Sequence, residues 1–148
     1  MTKPGNGPRY SKSTSARVSP VSDAGLPSLR GVKVLVVDDD EATRYIWSRQ
    51  LAPTGASVTT VEDTRHAVEV LRSEAVDVLL TDIRLRDADG LELLASAPSR
   101  PRVAIVVTEF DDETVRERAL RAGFNLYLPK PVDPQMLAQE IARRVGSR

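Results

Sequence analysis

VLVVDDDEAT, residues 34–43, runs four branched apolar side chains straight into three aspartates and a glutamate. A half-exposed strand would alternate polar and apolar residues, so an unbroken Val/Leu run reads as a strand covered on both faces. Its carboxyl end then delivers a block of negative charge at a turn. That combination asks for a fold that buries strands completely and collects their ends in one place.

Outward from this stretch the same grammar recurs. KVLVV (33–37), SVTTV (57–61), VDVLLT (76–81), RVAIVV (102–107) and NLYLP (125–129) read as five strands. Between them the apolar spacing changes to three and four: Trp47 and Leu51; Ala67, Val68 and Leu71; Val115, Ala119 and Ala122; Leu137, Ile141 and Val145. A shorter helical piece around Leu91 to Ala97 is cut off by Pro98. Five βα units with near-continuous apolar strands predict an α/β doubly wound parallel sheet with right-handed helical crossovers. In such sheets ligands bind outside the carboxyl ends of the strands, near the point where strand order reverses.

Length and composition agree with one soluble domain: 148 residues, 41% hydrophobic and 28% charged. The longest apolar run, VAIVV at 103–107, is far too short to span a membrane, and no secretory leader pattern opens the chain. The absence of cysteine excludes disulfides, thiolate metal sites and cysteine nucleophiles and fits a reducing compartment, so a cytoplasmic location is expected. Residues 1–30 differ in character. They hold six Ser, four Pro and three Gly, show no apolar period, and carry Lys3, Arg9, Lys12, Arg17 and Arg30 against Asp23 alone. The expectation is a disordered basic tail over 1–30 and a folded domain over 31–148.

The residues that follow each strand form a coherent chemical set: Asp38, Asp39 and Asp40 after the first, Asp82 after the third, Thr108 after the fourth and Lys130 after the fifth. Two ionised carboxylates about 4 Å apart repel by roughly 4 kcal/mol at an effective dielectric near 20, so their convergence calls for a cation. Oxygen-only ligation without His or Cys points to a hard ion such as Mg²⁺. A carboxylate beside Mg²⁺, an ammonium and a hydroxyl suits acyl-phosphate chemistry, and Asp82, which stands alone at its strand end, is the better nucleophile. Each residue also has an ordinary reading. Asp40 and Glu41 suit a helix cap, Asp82 a turn, Thr108 a strand end and Lys130 a solvated surface. Their arrival at successive strand ends favours the joint reading. His66, inside the helical TRHAVEV, reads as surface.

Over residues 31–148 the motifs VLVVDDDE, LLTDIRLRDADGLELL, VVTEF and AGFNLYLPKPVDP resemble the receiver domains of two-component response regulators. The resemblance implies a flavodoxin-like (βα)5 fold with strand order 2-1-3-4-5. It implies Asp82 as phosphoacceptor, and Mg²⁺ held by Asp38, Asp39, Asp82 and the main-chain carbonyl of Arg84. Thr108 would hydrogen-bond the phosphoryl group, Lys130 would pair with it through a cis Lys130–Pro131 link, and Gly90 would open the third helix. Tyr127 matches an aromatic that turns inward as the threonine moves, repacking the face of helix 4, strand 5 and helix 5. The implied phosphodonor is a histidine kinase or histidine phosphotransfer protein.

The fifth helix runs to the end of the sequence, so the expected output is contact with a downstream protein whose identity the residues do not give. Neither an enzymatic activity of its own nor direct DNA or membrane binding is expected, and the chain should be a monomer or weak homodimer. Two positions depart from the pattern. Arg86 stands where proline is usual. Glu109 replaces a small residue beside the threonine, where its bulk and charge would hinder a phosphodonor unless Arg84 or Arg86 pairs with it. These two leave open an interaction module that works without phosphorylation. A haloacid-dehalogenase-like phosphatase, suggested by the Asp38-x-Asp40 pair, lacks its late acidic pair after Lys130.

Overall fold

The computed structural model describes residues 25–109 and 112–146. Five parallel strands, β1 (Lys33–Val37), β2 (Ser57–Val61), β3 (Val78–Thr81), β4 (Val103–Thr108) and β5 (Leu126–Pro129), lie in the order β2-β1-β3-β4-β5. Helices α1 (Glu41–Leu51), α2 (Thr64–Ser73), α3 (Leu93–Ser96), α4 (Glu113–Arg121) and α5 (Pro134–Val145) make the crossovers. This is the flavodoxin-like order that the sequence motifs imply. Strand periodicity divides the core in two. Val34, Val36, Val78, Leu80, Val103, Ile105 and Val107 pack with Trp47 and Leu51 of α1 and with Leu137 and Ile141 of α5. The intervening Leu35, Val37, Leu79, Ala104 and Val106 pack on the other face with Ala67 and Leu71 of α2, Leu93 and Leu94 of α3, and Ala119 of α4. Both faces are covered, which is why these strands carry apolar residues without alternation.

α1, α2, α4 and α5 each open on an aspartate: Asp40, Asp63, Asp112 and Asp133. In every case an extended N-cap residue offers its carboxylate to an amide two or three residues on, satisfying donors that a helix start leaves unpaired. The hydrogen bond from the His66 amide holds the Asp63 carboxyl below the usual range. The short third helix begins as a 3-10 turn over Gly90–Glu92, continues as α3 and stops before Ala97, one residue short of the expected end.

The N-terminal boundary differs from expectation. Residues 1–24 of the expected tail lie outside the described residues, but Leu26 and Leu29 are buried in the α1/α5 core, with Leu29 only 1% exposed. The Leu29 amide donates to Thr54 O at 2.7 Å, and the Val32 amide donates to Leu29 O across a turn in which Gly31 takes a φ of +83°. The packed unit therefore begins before Gly31. Two leucines spaced by three cover the bottom of the core, whatever the polar character of their neighbours. Leu29→Ala should lower unfolding stability by about 2 kcal/mol, the low end of the range for a buried leucine. A urea melt unchanged from wild type would show that this segment does not contribute to the core.

Candidate functional site

Strand order reverses between β1 and β3, and the carboxyl ends of these two strands with that of β5 frame a cleft of about 280 Å³. The backbone ladder sets the positions. The Asp38 amide donates to Val61 O, the Asp82 amide to Val37 O and the Lys130 amide to Thr108 O, so each residue continues its strand's registration into the turn. Arg44 of α1 reaches back to the Asp38 carbonyl at 2.8 Å.

Lys130 Nζ bridges two carboxylates, 3.2 Å from Asp38 Oδ2 and 3.0 Å from Asp82 Oδ2. Asp38 Oδ1 accepts from the Asp40 amide and Asp82 Oδ1 from the Ile83 amide, which leaves both Oδ2 atoms directed to the ammonium. The Asp38 side chain is 5% exposed, that of Asp82 15% and that of Lys130 20%. Burial alone would lower the Lys130 pKa. The hydrogen bond to Asp82 and the charges of Asp82 and Asp38 outweigh it, and the pKa is raised above the ordinary lysine value. The ammonium is consequently charged throughout the neutral range.

Asp39, Asp40, Thr43, Arg84 and Glu109 line the same cleft, so five carboxylates meet two cationic groups. Among the described residues, no three His, Cys, Asp or Glu side chains close around a point as an all-protein metal cage would. The donor set does fit Mg²⁺, which takes one or two carboxylates and keeps several waters, and the surplus negative charge favours a divalent ion. Asp40 has a structural role as well, its Oδ2 accepting from the Thr43 amide and hydroxyl, which hold its carboxyl below the usual range.

Thr108 ends β4 fully buried, within the strand and paired with Pro129 of β5. Tyr127 lies outside the cleft, on the α4 side of the sheet. It is 5% exposed, its hydroxyl accepts from the Asp112 amide at 3.3 Å, and the Arg116 guanidinium stands 4.6 Å from its ring centroid. The Lys130–Pro131 bond is cis. Gly90 packs against the Asp82 carbonyl, where a β-carbon would come within 2.0 Å of the oxygen. His66 is half-buried, with Nδ1 2.6 Å from Asp63 Oδ1, and belongs to the α2 cap.

The sequence reading missed the bracing of the turn that follows β3. Asp87 accepts from the Thr64 amide and hydroxyl and from the Arg65 amide, adding a second cap to α2. Burial raises its pKa, but these hydrogen bonds win and the net shift is downward. Asp89 caps the 3-10 turn through the Leu91 amide and pairs with Arg118 of α4 at 2.9 Å. The sequence offered Gly90 only as the opening of the third helix; nothing in the spacing signalled partners 23 and 29 residues away.

Comparison with known proteins gives a consistent picture. A family model described as response regulator receiver domain matches residues 34–142. An uncharacterized 14.6 kDa protein of Leptolyngbya boryana is 37% identical over 113 residues, covering 74% of this chain and 86% of that protein. The DNA-binding transcriptional regulator NtrC of Escherichia coli K12 is 41% identical over 106 residues, covering 70% of this chain and only 22% of the regulator. Among solved structures, the receiver domain of sensor histidine kinase PA1611 from Pseudomonas aeruginosa PAO1 is similar, with a TM-score of 0.72 and 30% identity over 79% of this chain and 99% of that one. That structure has a magnesium ion coordinated in its active-site cleft. Among the described residues of the present chain, no helix is long and apolar enough to cross a membrane.

Proposed function

This chain belongs to the response regulator receiver domain family of two-component signalling, and from that membership we propose that it accepts a phosphoryl group on Asp82 from a histidine kinase or histidine phosphotransfer protein. The observation that carries the reading is the Lys130 ammonium between Asp82 and Asp38 at the sheet's switch point. In the transfer, an oxygen of the Asp82 carboxylate forms the new O–P bond. The donor's N–P bond breaks, and its electron pair stays on the departing imidazole nitrogen. Lys130 faces the incoming phosphoryl oxygens and offsets their charge. The residues to hold Mg²⁺ are Asp38, Asp39, Asp82 and the carbonyl of Arg84, and a bound ion there supplies further charge neutralisation and orientation of the phosphoryl group.

Thr108 hydrogen-bonds the phosphoryl group after its side chain swings out of full burial. The space it leaves alters the packing of Tyr127, and with it the lie of α4 against β5, so that the face of α4, β5 and α5 meets the downstream protein. Support for that route is local: Tyr127 already touches α4 through Arg116 and the Asp112 amide. The test is incubation with a small phosphodonor and Mg²⁺, read by intact mass. A chain that never gains a phosphoryl group would leave only the interaction module that works without phosphorylation.

One observation favours that second reading: Glu109 lines the cleft that the donor must enter. Its negative charge opposes an anionic donor, so Glu109→Ala should speed phosphorylation by about three-fold, the worth of one partly screened charge at close range. Initial rates with a small phosphodonor check this, and an unchanged rate removes the obstruction.

A further inference from the structure

Arg84, whose carbonyl is assigned to the divalent ion above, sits in a short turn that is stitched internally and braced from outside. The Gly90 amide donates to Ile83 O at 2.6 Å, the Leu85 amide to Ala88 O at 3.2 Å, and Arg84 and Asp89 form an antiparallel bridge. Ile83 and Leu85 are buried on either side of Arg84, so the backbone between them has little freedom. The Asp89 carboxylate then divides its two oxygens, Oδ1 accepting from the Leu91 amide and Oδ2 from Arg118 Nη2 on α4.

On α4, Val115 is only partly buried against the core. Ala119 is the helix's one fully buried residue, and Leu120 is 55% exposed. Between α4 and the turn lies a cleft of about 530 Å³, whose walls include Ile83, Arg84, Glu109 and Val115. The Arg118–Asp89 pair spans this gap. The position of this side of α4 then depends in part on where the aspartate stands.

We propose that the Asp89–Arg118 pair couples the turn carrying Arg84 to α4, so that divalent-ion binding and α4 docking strengthen one another, with Arg118 a positioning residue acting through Asp89. This rests on the magnesium reading given above. It supplies a path from the cleft to α4 that bypasses Thr108 and Tyr127. Linkage makes the coupling reciprocal: whatever ion binding adds to α4 docking, α4 docking adds to ion affinity. The pair is partly exposed, with side-chain exposures of 47% for Arg118 and 29% for Asp89, so the coupling is of the order of three-fold.

Calorimetric titration of the full chain with Mg²⁺ alone, at low ionic strength, is the test, paired with hydrogen exchange of the α4 amides with and without the ion. Arg118→Met should weaken Mg²⁺ binding about three-fold and remove the ion-dependent gain in α4 protection, while Arg118→Lys recovers part of both. Arg121→Met, which removes a pair with Glu117 within α4, is the control and should behave as wild type. Raising the salt to about 1 M should bring wild type and Arg118→Met together, since the Debye length falls to about 3 Å. The coupling is overturned if Arg118→Met matches wild type in affinity and α4 protection, or if Arg121→Met shows the same loss. A wild-type chain that takes up no Mg²⁺ overturns the magnesium reading, and the coupling with it.

Discussion

Asp82→Asn will gain no phosphoryl group under conditions in which the wild-type chain, given Mg²⁺ and a small phosphodonor, gains one. The substitution keeps the side chain's shape and removes its charge. An amide oxygen is a far poorer nucleophile than a carboxylate, and without the carboxylate Lys130 keeps only Asp38 as its partner. The fold should survive. An asparagine Oδ1 still accepts from the Ile83 amide, and removing one of five carboxylates from the cleft relieves repulsion that partly offsets the lost ion pair. Intact mass reads the first outcome and a thermal melt the second. A phosphoryl group found on Asp82→Asn would move the acceptor to another residue, with Asp38 and Asp39 the first to examine.

Gly90→Ala should cost about 4 kcal/mol of stability, more than any other single methyl group added to this site. Conformational freedom is not the reason, since Gly90 is not among the glycines of positive φ. Space is. A β-carbon there would sit 2.0 Å from Asp82 O, 3.1 Å from Asp82 C and 3.0 Å from Thr81 Oγ1. Retreat is blocked because the Gly90 amide is bonded to Ile83 O, and the Asp82 carbonyl is in turn held by the Thr81 hydroxyl at 2.9 Å. Any relief of the clash moves the backbone that carries Asp82, so phosphorylation should slow along with the loss of stability. A urea midpoint close to wild type would mean that the 3-10 turn yields more readily than its hydrogen bonds suggest.

The two predictions differ in how visible their residues are in the sequence. Asp82 could be singled out because it ends an apolar run, and a parallel sheet brings every such end to one edge. The same reasoning located Asp38, Asp39, Thr108 and Lys130, and the structure brings Asp38, Asp82 and Lys130 into direct contact. Gly90 was recognised only as the start of a helix. Its approach to the Asp82 carbonyl depends on how tightly the turn from Ile83 to Gly90 folds back. Leu26 and Leu29 were hidden by their surroundings, since two leucines in a Ser/Pro/Gly-rich stretch produce no measurable period.

What the amino-acid sequence determined by itself was the architecture and the chemical inventory of one edge: five strands, their crossovers, and the acids, hydroxyl and ammonium that follow them. Those features are local, because periodicity and strand-end identity are written within a few residues of each other. Tertiary structure alone decided which side chains pair across the chain: Lys130 between Asp38 and Asp82, Asp87 on the start of α2, Asp89 with Arg118, and Leu29 beneath α1 and α5. Such partners are separated by tens of residues. Charge or apolar character alone cannot select among many equivalent candidates until the sheet has set their distances.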